Sequence, residues 1–96
     1  MYSATDIQKI ITPIAAKYGV NRVYLFGSYA RGENTPSSDV DLRIDKGDVR
    51  GMQMAFLLSD LEDALQLPVD LLSTTALDAQ FLQSIKGEEK LIYERI

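Results

Sequence analysis

Two short signals lie close together in the chain: Gly27-Ser28 and, ten residues later, Asp39-Val40-Asp41, within the run GSYARGENTPSSDVDL. The first can cradle a phosphate. Glycine lets the backbone approach a ligand closely, amides at the start of a helical turn donate to phosphate oxygens, and the Ser28 hydroxyl adds a donor. The second can hold a metal. On a strand the two aspartates project the same way, roughly 6–7 Å apart at their backbones, where like charges repel unless a cation lies between them. An all-oxygen ligand set suits Mg²⁺, which uses one or two carboxylates, waters and the phosphates of its substrate.

Asp70 is a third carboxylate, inside the apolar run VDLLS. If that strand lies beside Val40–Ile44, Asp70 joins the acidic pair, where it could bind a second metal ion and accept a proton from an attacking hydroxyl. Arg31 can reach a phosphate, or pair with Glu33 or the acidic cluster; Arg43 shares the face of the aspartates as a counter-ion. Taken singly, each signal has a plain alternative. A GS pair ends many strands, a DxD is common on solvated strand faces, and Asp70 reads equally as a solvated strand residue.

The elements that must position these residues follow from periodicity. Ile7, Ile10, Ile11, Ile14 and Ala15 recur at helical spacing, so a helix capped by Ser3, Thr5 or Asp6 runs to about Tyr18, kinked or loosened at Pro13 and stopped by Gly19. Arg22–Phe26 is a short strand, Tyr29–Arg31 a helical turn and ENTPSS a loop. Val40, Leu42 and Ile44 alternate with Asp39, Asp41 and Arg43, which places aliphatics on one strand face and the aspartates on the other. A longer helix from about Asp48 or Arg50 to Leu67 carries the stripe Met52, Ala55, Phe56, Leu58, Leu61, Ala64 and Leu65, with a partner surface or a thick core explaining its width. Val69–Leu72 is a third strand. Thr74 or Thr75 caps a last helix over Leu77–Ile85, and Leu91–Tyr93 forms a final strand or a frayed helical tail. The result is a small α/β (α+β) domain spanning 1–96, a mixed sheet of three or four strands with helices mainly on one face. Asp60, Glu62, Asp63, Glu88 and Glu89 read as solvated helix faces.

Composition narrows the chemistry. Ten basic against 14 acidic residues give a net charge of −4, so a broad electrostatic grip on duplex nucleic acid is not expected. The chain has no cysteine and no histidine. Thiolate sites, disulfides and the usual general base are therefore excluded, and acid-base or metal work falls to carboxylates. No run approaches about 20 apolar residues and no leader pattern opens the chain, so a cytoplasmic protein is expected, without membrane contact.

The ordered set LFGSYARG, SDVDL and Asp70 resembles the minimal nucleotidyltransferases of the DNA polymerase β superfamily over residues 4 to 96, resting on element order alone beyond Ser73. The resemblance implies transfer of a nucleoside monophosphate from a triphosphate to a hydroxyl, with release of pyrophosphate. It implies that Gly27, Ser28 and Arg31 hold the triphosphate tail. Asp39 and Asp41 would hold Mg²⁺, two ions in all, and Asp70 would serve as metal ligand and base. Larger relatives carry a further acceptor-binding domain. A short member resembles the MNT antitoxins paired with HEPN ribonuclease toxins, which transfer AMP from ATP to a toxin tyrosine. Two rival expectations are an antitoxin acting by binding alone and a small-molecule nucleotidyltransferase.

Overall fold

The computed structural model describes residues 2–96. Helix α1 (Ala4–Tyr18) begins at Ser3, which forms a reciprocal box with Asp6: Asp6 N–H donates to Ser3 Oγ at 3.2 Å and Ser3 N–H to Asp6 Oδ2 at 2.9 Å. Such a cap contributes about 1 kcal/mol. The helix runs on past the exposed Pro13 and ends at Gly19. Strand β1 (Arg22–Phe26) leads into a short helix α2 (Gly27–Arg31), then β2 (Val40–Asp45).

Helix α3 (Gln53–Leu65) starts later than the periodicity suggests. Residues 46–52 form turns instead, Asp48 N–H donating to Gly19 O at 3.0 Å, and buried Val49 anchors them. The Gln53 side chain accepts from Arg50 N–H at 2.9 Å, and Gln66 in a left-handed conformation ends the helix two residues before Leu67. Strand β3 (Val69–Ser73) follows, then a 3₁₀ turn (Thr74–Ala76), helix α4 (Ala79–Ile85) and strand β4 (Lys90–Glu94). The cap of α4 is Asp78, not a threonine: Phe81 N–H donates to Asp78 Oδ1 at 2.7 Å, while the Thr74 hydroxyl is engaged on β2. The C-terminal segment is a strand because it pairs antiparallel with β1.

The sheet order is β3-β2-β1-β4, with β2 parallel to β3 and the other neighbours antiparallel. Alternation divides it into two unlike faces. Val23, Leu25, Val40, Leu42, Ile44 and Val69 meet Ile7, Ile11 and Ala15 of α1 and Leu57, Leu61 and Leu65 of α3 in one buried cluster. Full burial of an aliphatic side chain contributes about 1.5–3 kcal/mol, so this face holds the fold. The seam of α3 is the i, i+4, i+8 set Leu57, Leu61 and Leu65. Met52 and Phe56, expected in the stripe, are 69% and 55% exposed. Tyr18 Oη donates to Asp60 Oδ2 at 2.6 Å and ties α1 to α3, so Asp60 is a helix–helix contact. No helix among the described residues is long and apolar enough to cross a membrane.

The second face carries Tyr24, Phe26, Asp41, Arg43, Asp45, Asp70 and Leu72, as the strand registers require. Helix α4 covers only part of it. Phe81 meets Phe26 edge-on at 6.1 Å between ring centroids. Helices therefore lie mainly, though not solely, on one face.

Candidate active site

Strand β1 ends in extended backbone at Phe26, and the chain turns at once into α2 at Gly27, whose φ is +74°. A side chain there is disfavoured on two grounds. The left-handed conformation opposes a Cβ, and a Cβ built on Gly27 would overlap Asp41 Oδ2. The absent side chain is what allows the phosphate-type turn and the carboxylate to touch. Pairing of Phe26 with Asp41 across the β1–β2 ladder produces this contact, so the fourteen residues between them, α2 included, form a connection whose two ends meet.

Asp70 arrives by a different route. In the parallel β2–β3 pair Val40, Asp41 and Leu42 lie beside Val69, Asp70 and Leu71. Asp41 and Asp70 are thus direct neighbours on one face, while Val40 and Val69 point into the core. Asp39 precedes β2 and lies outside the ladder. Asp39 and Asp70 are exposed and Asp41 is half-buried, so the acidic face is open to solvent. Burial, then repulsion from Asp70 and Asp39, holds the Asp41 carboxyl above the ordinary aspartate range, with Arg31 opposing weakly.

Arg31 and Arg43 divide in a way periodicity does not reveal. Arg31 Nε donates to Glu33 at 2.7 Å and Nη1 to Glu88 at 2.9 Å, so its guanidinium is ion-paired at the mouth of the site. Arg43 is not a counter-ion to the aspartates. Its guanidinium makes two hydrogen bonds to Glu89, at 2.7 and 3.0 Å, donates to Thr74 Oγ1 at 2.8 Å and lies 3.9 Å from the Tyr24 ring centroid. With side chains only 10% and 14% exposed, Arg43 and Glu89 form a nearly buried pair. Glu88 and Glu89 are therefore not a solvated helix face. They sit on the α4–β4 turn, which folds back over the sheet. Glu88 Oε1 accepts from Gly27 N–H at 3.2 Å, and its carboxyl is held below the usual range by the Arg31 hydrogen bond first. No sequence signal marks this pair, because the contact depends on where α4 crosses the sheet.

The donor set fits a hard divalent cation. Asp39, Asp41 and Asp70 offer oxygen alone, and a cation would relieve the repulsion that raises Asp41. Among the described residues no three acidic side chains form a ready-made metal-holding group. Magnesium typically takes one or two carboxylates and completes its shell with water and phosphate.

A family model described as polymerase beta, nucleotidyltransferase matches residues 8–96. A Methanocaldococcus jannaschii protein, provisionally named a protein adenylyltransferase, is 36% identical over 84 residues, covering 86% of this chain and 90% of its own. The protein adenylyltransferase MntA of Thermococcus cleftensis is 30% identical over 93 residues, covering 92% and 94% of the two chains. One chain of the solved complex of a tri-AMPylated Shewanella oneidensis HEPN toxin with an MNT antitoxin superposes with a TM-score of 0.73. The match has 20% identity and covers 96% of this chain and 73% of that one. At that identity the likeness is one of fold.

Proposed function

The chain belongs to the polymerase β-type nucleotidyltransferases, and on that premise we propose that it transfers AMP from ATP to a tyrosine hydroxyl of a HEPN ribonuclease toxin, acting as its antitoxin. The observation that carries the reading is the meeting of Gly27, Asp41 and Asp70 at one edge of an open sheet face. Names borne by the relatives support a protein as acceptor, and the complex containing an AMPylated toxin supports the partner class.

Gly27 and Ser28, with Arg31, take the β- and γ-phosphates; Asp39 and Asp41, joined by Asp70, would hold Mg²⁺. Two ions when bound would neutralise phosphate charge and orient the reacting oxygens. The remaining chemistry belongs to the chain. Asp70, exposed at the rim, accepts the proton of the tyrosine hydroxyl as its oxygen bonds to the α-phosphorus. The bond from that phosphorus to the bridging oxygen breaks, and pyrophosphate leaves. An open face is what a protein acceptor needs, because the tyrosine arrives on a large surface. The setting is cytoplasmic, where ATP and a ribonuclease toxin coexist.

Incubation of the chain with the partner toxin, Mg²⁺ and α-labelled ATP tests this. Label should enter the toxin as one or more AMP groups, and Asp39→Ala/Asp41→Ala should abolish it along with neutralisation. Full neutralisation by the unlabelling variant would establish a blocking antitoxin instead, and label on a small alcohol would establish a small-molecule transferase.

A further inference from the structure

We propose that Glu88 is an intramolecular competitor for the triphosphate seat, occupying in the nucleotide-free protein the groups that the tail must take. The inference rests on the nucleotide reading of Gly27 and Arg31 given above. One carboxylate bridges both groups: Oε1 accepts from Gly27 N–H at 3.2 Å and Oε2 from Arg31 Nη1 at 2.9 Å. Arg31 and the Gly27 N–H keep the Glu88 carboxyl ionised, so the occupant is an anion held by the donors that suit phosphate oxygens.

The α4–β4 turn is built to present it. Glu89 is locked to the nearly buried Arg43 through two hydrogen bonds. Glu88, one residue earlier, has a 28% exposed side chain and its ion-pair partner Arg31 is 44% exposed. The turn is anchored by one glutamate while the other swings on its own side-chain torsions, so phosphate can displace Glu88 without unfolding the turn. Departure of Glu88 also removes a negative charge from the mouth of the site, which eases the arrival of a polyanion. A competing contact lowers apparent affinity by the fraction of molecules in which the seat is free.

Titration of wild type, Glu88→Ala and Glu88→Gln with Mg²⁺-ATP by calorimetry tests the proposal, with thermal melting confirming that each variant folds. Both variants should bind about three- to tenfold tighter than wild type, as expected for loss of one partly exposed ion pair and one hydrogen bond. In an Arg31→Gln background the gain from Glu88→Ala should shrink to below about twofold, because the competitor has lost its stronger anchor. Equal or weaker binding by both variants, with wild type still binding ATP, overturns the competitor and leaves the nucleotide reading standing. Absence of ATP binding by all three proteins overturns the nucleotide reading itself.

Discussion

Substitution of Gly27 by alanine separates two costs that usually arrive together. Gly27 opens and Gly32 caps the same short helix with nearly equal φ, +74° and +73°. An alanine at either position pays for a left-handed backbone, about 1–2 kcal/mol. A Cβ at Gly32 meets nothing within 4 Å, whereas at Gly27 it overlaps Asp41 Oδ2. Gly27→Ala therefore carries a second cost of about 1–3 kcal/mol for displacing that side chain. For a chain of this size about 1 kcal/mol corresponds to about 4–8 °C in Tm. Gly32→Ala should lower Tm by about 4–16 °C and Gly27→Ala by about twice as much. Activity should divide more sharply: Gly32→Ala retains AMP transfer, while Gly27→Ala, with Asp41 pushed aside, loses more than about tenfold in kcat/KM. Parallel melting and label-transfer assays read both quantities. Equal Tm losses in the two variants, or wild-type turnover in Gly27→Ala, would refute the contact between turn and carboxylate.

Asp41→Asn should uncouple stability from function. The folded-state pKa of Asp41 is raised, so the folded protein holds this proton more tightly than the unfolded chain. Its contribution falls as pH climbs from the ordinary aspartate value through the raised one, and stays low above it. Asparagine removes that loss, so melting curves across acidic to neutral pH should show the variant gaining on wild type as pH rises, with transfer abolished. Glu89→Ala leaves Arg43 nearly buried without its main partner and should cost about 2–3 kcal/mol by denaturant unfolding, since Asp45 and Thr74 remain in reach. Ser28→Ala should raise KM for ATP by about tenfold, the effect of losing one hydrogen bond to a charged group, with Tm close to wild type. Excess chelator should stop transfer, and Mg²⁺ alone should restore it.

Alternation over Val40–Ile44 was enough to read which side chains face the core and which take the opposite face of the sheet, because period two is a property of the strand itself. The helical spacing of Ile7, Ile11 and Ala15 was legible for the same reason. Strand neighbours were not. Parity places Asp70 opposite Val69 and Leu71, but only the parallel pairing of β3 with β2 sets Asp70 beside Asp41. Helix α3 began late because Val49 is buried within turns, which helix propensity does not register. The pairing of Arg31 with Glu33 was legible from its neighbourhood in sequence, but Glu89 on Arg43 and Glu88 on Arg31 were the least legible contacts, since they lie 46 and 57 residues away and arrive through a turn whose path follows from packing.

The register of β3 against β2 makes correct assembly self-checking. Seating Val69 and Leu71 against the helices and presenting Asp70 beside Asp41 are a single event, since both follow from one alignment of two strands. A slip by one position would drive Asp70 into an aliphatic interior that offers it no cation, and would turn valine and leucine out to water. A mispaired molecule is thus a poorly folded one. Quality control of the catalytic arrangement is delegated to the oily side of the sheet, so the chain needs no separate means of verifying its acids.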